Sequence, residues 1–127
     1  MDLGLRDAAV VVNGGSKGMG RAAAETFAAE GARVAVLARS ADALAETLGA
    51  LRSLGAADAV ALRADITDRA QVEAAFAAVR ERWGGALNVL VNATGPVEVG
   101  VGRFDAVDDG EWAATFDVGT TSTFFGA

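Results

Sequence analysis

The sequence predicts an α/β fold: a doubly wound parallel sheet with helices on both faces, arranged in three αβα layers. Short apolar runs and longer helical patterns alternate four times along the 127 residues, with short connections between them. The runs are apolar at every position, which suits strands buried on both faces. A composition with 52% hydrophobic and 22% charged residues is that of one globular domain with a core.

The first strand and helix flank a glycine-rich stretch. Ala8–Val12 is apolar throughout and predicts a strand, and Gly18–Ala29 predicts the helix that follows. Gly31 is a suitable stop for this helix, because glycine adopts the left-handed conformation that ends many helices. The apolar side chains expected to face inward recur at every fourth residue: Met19, Ala23 and Phe27.

The second strand and helix follow without a break in the pattern. Arg33–Ala38 predicts another buried strand. Ser40 is the predicted N-cap of a helix that runs through Leu54 and stops at Gly55. The leucines expected on the inward face of this helix are Leu44, Leu48 and Leu51.

The third pair begins with a strand predicted at Ala59–Ala64. Asp68, with Gln71 three residues later, resembles a capping box at the start of the next helix. That helix stops at Gly84-Gly85. Its apolar side chains have helical spacing and are Val72, Ala75, Phe76, Val79 and Trp83.

The fourth strand is predicted at Leu87–Val91. A loop rich in glycine and valine runs from Gly95 to about Val107, and a fourth helix begins near Asp108 or Asp109. The side chains expected to turn inward from this helix are Trp112, Phe116 and Phe124. In the expected strand order 3-2-1-4, the fourth strand is an apolar edge.

Composition and charge exclude several classes of function. A net charge of −6 argues against a nucleic-acid surface, which needs a basic stripe. The chain has no cysteine and no histidine, so disulfides, thiolate metal sites and a histidine base are excluded. The first residues do not form a signal peptide, and no apolar run reaches membrane-spanning length. A soluble, cytoplasmic protein without a membrane partner is expected.

The glycine-rich stretch at residues 13–20 reads N-G-G-S-K-G-M-G and places Gly14, Gly18 and Gly20 in a G-x-x-x-G-x-G pattern. Glycines at this spacing permit a tight turn, close approach of the backbone to a pyrophosphate and close packing of helix on strand. The helix N-terminus adds free N–H groups and a positive dipole end. Because the pattern lies between a strand and a helix, it predicts a dinucleotide site rather than a turn without a ligand.

The G-x-x-x-G-x-G spacing resembles the first turn of the short-chain dehydrogenase/reductase family. Three further stretches match that family in order. Ala64-Asp65-Ile66-Thr67-Asp68 resembles its D-V-T-D, Leu90 to Gly95 its L-V-N-N-A-G, and Glu111 to Val118 its W-x-x-x-x-D-V-N helix. The resemblance covers essentially the whole chain and implies the N-terminal portion of a Rossmann-type sheet.

The resemblance also implies roles for individual residues. Asp65 would accept a hydrogen bond from the adenine amino group, with the Ile66 backbone beside it. Asn92 and Ala93 would line the ribose side, and Asn92 would tie the fourth strand to its neighbour. The residues around the pyrophosphate and the adenosine ribose would be Gly14, Ser16, Lys17, Gly18, Met19 and Gly20. Taken singly, Asp65 is equally well a turn residue and Asn92 a satisfied polar residue at a strand end.

Charge predicts which nucleotide is bound. NAD-preferring sites place Asp or Glu at the end of the second strand, where it binds the ribose 2′-hydroxyl. That position is Ala38 here, followed by Arg39 and Ser40. Arg39 can hold a 2′-phosphate in a bidentate fork, and Lys17 adds a second charge. NADP is therefore predicted over NAD, and an Arg39→Ala change is expected to weaken NADP more than NAD; the alternative is that both cations are solvated surface residues.

The complete set of candidate cofactor-binding residues is Gly14, Ser16, Lys17, Gly18, Met19, Gly20, Arg39, Ser40, Asp65, Ile66, Asn92, Ala93, Thr94 and Gly95.

The sequence departs from the family at several positions. Asn13 replaces the threonine before the glycines, and Ala93-Thr94 replaces the second Asn and the Ala of N-N-A-G. Gly119 stands where the family has the asparagine of its catalytic helix. The family's serine and Tyr-x-x-x-Lys are absent, since the chain has no tyrosine and only Lys17 as lysine. We expect those groups beyond Ala127, with residues 1–127 as an incomplete Rossmann domain.

The resemblance implies an oxidoreductase that transfers hydride between NADP(H) and a small ketone or secondary alcohol, as a homodimer or homotetramer. The alternative is a non-catalytic nucleotide-binding or scaffold protein of the same fold, which Gly119 and the missing tyrosine favour. A methyltransferase also has a glycine turn after its first strand. It would not explain the motif at Asn92.

Overall fold

The computed structural model describes residues 1–85, 87–95 and 104–121. Its four parallel strands, in the sheet order β3-β2-β1-β4, are β1 (Ala9–Asn13), β2 (Arg33–Ala38), β3 (Asp58–Arg63) and β4 (Val89–Asn92). The α-helices are α1 (Gly18–Ala29), α2 (Ala41–Leu54), α3 (Arg69–Trp83) and α4 (Asp109–Phe116). A 3₁₀ turn at Phe104–Ala106 precedes α4, and a π-helical segment at Asp117–Thr121 follows it. The predicted doubly wound sheet and its strand order are confirmed.

The sheet has a helical layer on each face. Alternate strand residues such as Val10, Val12 and Val34 pack with Ala24 of α1 and Leu44 of α2. The intervening residues point to the other face and pack with α3. The buried residues of this second cluster are Val11, Ala35, Leu37, Ala64, Ala75 and Val79. Both faces of β1 and β2 are therefore buried, which explains their continuous apolar runs, whereas β3 and β4 at the edges of the sheet are mostly half-buried.

The buried face of α1 is displaced by one position from the apolar period Met19, Ala23 and Phe27. Gly20, Ala24 and Ala28 are buried, whereas Met19 is 87% exposed. Small side chains bring the helix axis close to the sheet, and the larger Met19 points away from it. Met19, counted in that apolar period, therefore does not face inward, whereas Phe27 of the same period is partly buried against the core.

The ends of α2 and α3 follow the predicted signals, with one difference. Ser40 Oγ accepts from Ala43 N at 3.3 Å, and Asp68 accepts from Gln71 N at 3.3 Å. The reciprocal bond of a capping box is absent from Asp68, because Gln71 Oε1 accepts instead from Asp65 N at 2.9 Å. Gln71 thereby fixes the turn between β3 and α3.

The start of α4 was predicted correctly, but the burial of its aromatic side chains was not. Asp108 and Glu111 form a capping box at its N-terminus. Trp112 and Phe116 are 60% and 54% exposed, and no residue of α4 is buried within the part of the chain that the structure describes. Helical spacing alone therefore overestimated burial here. Phe124, also predicted to turn inward, lies outside the described residues.

The strand ends extend past the apolar runs at the carboxyl edge. Asn13 pairs in register with Asn92, so β1 and β4 each end one residue later than predicted. Both side chains are polar, which is why hydrophobic patterning missed them. In the described ranges, no helix is long and apolar enough to cross a membrane.

Asp58 connects the start of β3 to the end of α3. Its carboxylate accepts from Arg82 Nε at 2.7 Å, from Arg82 Nη2 at 2.9 Å and from Trp83 Nε1 at 2.8 Å. Hydrogen bonds from Arg82, and then from Trp83, hold the pKa of the Asp58 carboxyl well below its usual range. Arg33 lies over the Trp83 ring, 5.5 Å from its centroid, and completes the cluster.

We predict that Asp58→Asn lowers the free energy of unfolding by about 1 kcal/mol at neutral pH, the range of a part-exposed, hydrogen-bonded ion pair. Because the folded pKa of Asp58 is depressed, its contribution is full above the unfolded pKa of about 3.9 and is lost as pH falls towards the folded pKa. Urea unfolding of both proteins from pH 8 to pH 3 measures the difference. A difference that grows on acidification would contradict this role.

Candidate functional site

The strand order reverses between β1 and β4, and in an open α/β sheet this reversal defines a crevice at the carboxyl edge. The chain leaves β1 through α1 towards β2 on one side, and β4 lies on the other side. In open α/β sheets, ligands bind at such a reversal of strand order, outside the carboxyl ends of the strands. The glycine turn after β1 and residues 93–95 after β4 border this crevice.

The glycine turn is held against β2 and β4 by close contacts. Gly14 N donates to Leu37 O at 2.9 Å. A Cβ on Gly14 would lie 3.0 Å from Ala93 O, and Gly14 has a φ of +74°, which disfavours other residues there. A Cβ on Gly20 would overlap the carbonyl oxygen of Gly14. Neither position therefore has room for a side chain.

Gly18 differs from these two glycines because the space beside it is open. Its φ of +58° requires glycine, yet a Cβ there would meet no atom within 4 Å. The backbone is thus accessible at the first residue of α1, where N–H groups have no partner within the helix. The open space beside Gly18 leaves room for a ligand to reach this backbone.

The N-terminus of α1 is uncapped, unlike those of the other three α-helices in the described residues. Lys17 occupies the N-cap position and makes no side-chain capping bond. Ser40, Asp68 and Asp108 each cap the helix that follows them. The first turn of α1 therefore keeps its N–H donors and the positive end of its dipole for an anionic group.

A pair of amide side chains connects β1 to β4 at the floor of the crevice. Asn13 is fully buried, and its Nδ2 donates to Asn92 Oδ1 at 2.6 Å. The Asn13 Oδ1 is buried without a hydrogen-bond partner in the described part of the chain. The pair holds the start of the glycine turn beside the residues that follow β4.

We predict that Asn13→Ala lowers the free energy of unfolding by about 1–3 kcal/mol, because it leaves the side-chain oxygen Oδ1 of Asn92 unpaired in a part-buried site. Asn13→Thr is the control, since a hydroxyl keeps a donor and removes the unpaired Oδ1. Thermal unfolding of the wild type and both variants measures how much each substitution destabilises the protein. Equal destabilisation by threonine and alanine would show that the hydrogen bond has no such role.

Asp65 forms a tight turn just after β3. Its Oδ1 accepts from Thr67 Oγ1 at 2.7 Å and from Thr67 N at 2.9 Å. These two bonds, with the nearby positive charge of Arg39, hold the pKa of the Asp65 carboxyl below its usual value. Asp65 is thus a turn residue through Oδ1, as one of the two interpretations predicted. Its Oδ2 remains available for a donor such as an adenine amino group.

The predicted cations lie at the outer side of the crevice. Arg39 follows β2 and is exposed, and Lys17 is exposed at the start of α1. Neither makes an ion pair with another described residue. The Ser40 hydroxyl accepts the capping bond of α2, so its oxygen is partly committed to that helix.

The structure brings most of the predicted site residues to this one edge. Gly14, Ala93 and Thr94 are in contact range of one another, whereas Met19 and Gly95 are exposed at the rim. Ser16 is buried, and its carbonyl accepts from Thr47 Oγ1 of α2 at 3.3 Å. Ile66 and Asn92 are half-buried. The remaining predicted site residues at this edge, described above, are Lys17, Gly18, Gly20, Arg39, Ser40 and Asp65.

Sequence reasoning missed two side chains that support this edge. Thr47 is fully buried and holds the glycine turn through Ser16. Arg63, the last residue of β3, donates from Nε to the carbonyl of Arg39 at 3.0 Å. Thr47 lies between the leucines of α2 and gives no apolar signal. Arg63 could have been found from its position at the end of the strand that neighbours β2, because Arg39 directly follows β2.

Comparison with known proteins identifies relatives over nearly the whole chain. A family model described as short chain dehydrogenase matches residues 8–127. A 3β-hydroxysteroid dehydrogenase from Eggerthella lenta is 38% identical over 123 residues, which are 96% of this chain and 46% of that protein. A 2,3-dihydro-2,3-dihydroxybenzoate dehydrogenase from Bacillus subtilis is 31% identical over 121 residues, 95% of this chain and 45% of that protein. The chain spans about half the length of these curated relatives.

Solved structures show the same fold. A short-chain type dehydrogenase/reductase from Mycobacterium ulcerans superposes with a TM-score of 0.87 at 31% identity, over 94% of this chain and 44% of that one. An NADH-dependent reductase complexed with NAD superposes with a TM-score of 0.84 at 31% identity, over 98% of this chain and 51% of that one.

Proposed function

The chain belongs to the short-chain dehydrogenase family, and on that premise we propose that residues 1–127 form the cofactor-binding part of an NADP-dependent oxidoreductase. The observation that carries this proposal is the uncapped N-terminus of α1, which opens onto the crevice beside Gly18. Free N–H groups, a positive dipole end and an accessible glycine backbone are what a pyrophosphate requires. The residues present therefore fit the cofactor.

Each part of the site has a different task in this proposal. The turn at residues 14–20 and the first turn of α1 bind the pyrophosphate. Asp65 Oδ2 accepts a hydrogen bond from the adenine amino group. Asn13 and Asn92 fix the distance between the glycine turn and the end of β4, which borders the ribose. When bound, the nicotinamide supplies the hydride chemistry, and these residues orient it.

We propose a small ketone or secondary alcohol as the substrate. The named relatives include a steroid dehydrogenase and a dihydrodiol dehydrogenase, whose names describe oxidation at a carbon that bears a hydroxyl group. The chain has no tyrosine and only Lys17 as lysine. The proposal therefore assigns proton transfer to a serine and a Tyr-x-x-x-Lys pair outside these 127 residues.

The preference for NADP rests on charge at the end of β2. Family membership does not choose between the nucleotides, since one similar structure holds NAD. In this chain the position that carries a carboxylate in NAD sites is Ala38, and exposed Arg39 follows it. A guanidinium there favours the 2′-phosphate of NADP.

A second function in this fold is nucleotide binding without turnover. Gly119 favours it, because glycine has no side chain to hold a proton-relay water at the position of the family asparagine. Gly119 lies in the π-helical segment that follows α4. An encoding frame that continues into a serine and a Tyr-x-x-x-Lys would favour the enzyme, and one that lacks them would favour the binding protein.

We also propose a cytoplasmic protein that assembles as a homodimer or homotetramer. The exposed Trp112 and Phe116 of α4 support assembly, because large aromatic side chains are enriched at interfaces.

Nucleotide titration tests the proposed function. Isothermal titration of the protein with NADP and with NAD at one salt concentration is expected to give tighter binding of NADP. Equal affinity, or tighter binding of NAD, would overturn the cofactor assignment. Absence of binding for both nucleotides would overturn the assignment of the site.

A further inference from the structure

Arg63 contacts the residue on which the nucleotide preference depends. It is the last residue of β3 and is exposed, and its Nε donates to the carbonyl oxygen of Arg39 at 3.0 Å. This bond joins the end of β3 to the turn between β2 and α2. The aliphatic stem of Arg63 therefore leads its guanidinium to the backbone of Arg39.

The register of the sheet shows which face Arg63 occupies. Arg63 is paired with Ala38, as Ala61 is with Val36 two residues earlier. Val36 and Ala61 belong to the cluster under α1 and α2. Because side chains two residues apart lie on the same face of a strand, Arg63 lies on the α1–α2 face. That is the face on which the β2–α2 turn begins.

The charge of this corner is positive in a chain whose net charge is −6. Arg39 and Arg63 make no ion pair with any described residue. The neighbouring carboxylate, Asp65, is engaged by Thr67 through Oδ1. Among the described residues, Arg63 makes a hydrogen bond through Nε alone, which leaves the donors of both its Nη atoms for an anion.

We propose that Arg63 is a specificity-determining residue that binds the ribose 2′-phosphate together with Arg39. This inference rests on the proposed function and deepens it. A phosphate monoester carries a charge of about −1.5 to −2 at pH 7, so two guanidinium groups neutralise it where one does not. The bond from Nε holds the Arg63 side chain against the backbone of Arg39, at the corner where the Arg39 side chain begins.

The test is titration of the full chain and of Arg63→Met with NADP and NAD, and with the fragments 2′,5′-ADP and 5′-AMP. Methionine keeps an unbranched apolar stem and removes the charge. Arg63→Met is expected to weaken NADP and 2′,5′-ADP about tenfold, the effect of one lost charge-assisted hydrogen bond. NAD and 5′-AMP, which lack the 2′-phosphate, are expected to change little.

Two further variants make the result specific. Arg80→Met is the matched control, because Arg80 is an exposed arginine of α3 that lies with Ala9 and Leu87 near the amino ends of the strands. It should leave the ratio of NAD to NADP affinity unchanged. Arg63→Lys keeps the charge without the fork and should recover part of the NADP affinity.

Each outcome bears on the proposal. Tight NADP binding by the wild type with equal losses of NADP and NAD affinity in Arg63→Met would overturn the role of Arg63 and leave the proposed cofactor standing. A wild type that prefers NAD would overturn both. Loss of the NADP preference in Arg63→Met, with partial recovery in Arg63→Lys and unchanged thermal unfolding in both, supports the proposal.

Discussion

Replacement of Gly20 with alanine is expected to destabilise the protein and to remove most of its nucleotide affinity. A Cβ at this position would overlap the carbonyl oxygen of Gly14 and approach Ala93 Cβ to 3.0 Å. The turn or α1 must shift to admit it, and such overpacking lowers the free energy of unfolding by about 1–3 kcal/mol. The shift also moves the N–H donors of the turn. NADP affinity should fall roughly tenfold or more, the effect of losing one charge-assisted hydrogen bond.

Gly49→Ala is the matched control for this variant. Gly49 lies in the middle of α2, is exposed, and would meet no atom within 4 Å if it carried a Cβ. Alanine there should raise the free energy of unfolding by about 0.5–1 kcal/mol through helix propensity and leave NADP binding unchanged. Urea unfolding and nucleotide titration measure both variants. A Gly20→Ala protein with wild-type affinity would show that the tight turn is not needed for binding.

Replacement of Ala38 with aspartate is expected to convert the nucleotide preference from NADP to NAD. The new carboxylate would stand at the end of β2, where NAD sites hold the ribose 2′-hydroxyl. It would lie beside Arg39 and in register with Arg63, and would neutralise the cations that attract a 2′-phosphate. NADP affinity should fall about a hundredfold, because charge-assisted bonds worth about 1.5–3 kcal/mol give way to repulsion between like charges.

Ala38→Asn separates charge from shape in this experiment. Asparagine matches aspartate in size, and Ala38 is only half-buried, so both variants disturb its packing against the core residues under α1 and α2 equally. The asparagine variant should keep its preference for NADP. Titration of the two variants with both nucleotides gives the comparison. If Ala38→Asn and Ala38→Asp have the same ratio of NAD to NADP affinity, charge at this position does not select the nucleotide.

The sequence predicted the fold and most helix ends because each was encoded by neighbouring residues. The alternation of apolar runs with helical patterns predicted a parallel sheet with helices on both faces, and the order 3-2-1-4 is the one expected of a doubly wound fold. Ser40 and Gly55 marked the ends of α2 at the observed residues. These signals are local, and so they can be read without knowledge of the fold.

The errors arose where burial depends on more than apolar character. The inward face of α1 consists of Gly20, Ala24 and Ala28, small residues that give a weak hydrophobic signal, so Met19 was assigned inward instead. For Trp112 and Phe116, large apolar side chains were taken as core although they are exposed. A sequence pattern shows which side chains are apolar, whereas their burial depends on which element packs against that face of the helix.

The sequence predicted which residues form the candidate site but not the hydrogen bonds that join them. The motifs named the glycine turn, Asp65 and Asn92. The bond from Asn13 to Asn92 joins residues 79 apart, and that from Arg63 at the end of β3 to Arg39 just after β2 joins residues 24 apart. Such contacts follow from strand register, which a single sequence does not display.

Amide chemical shifts of the ¹⁵N-labelled chain, recorded during titration with NADP, test the central claim most directly. If the glycine turn and the open end of α1 bind the pyrophosphate, the resonances of residues 14–20 should shift and saturate with one binding constant. Those of Gly84 and Leu87, near the opposite edge of the sheet, should remain in place. Unchanged resonances in the turn at saturating NADP, or shifts confined to that opposite edge, would contradict the account.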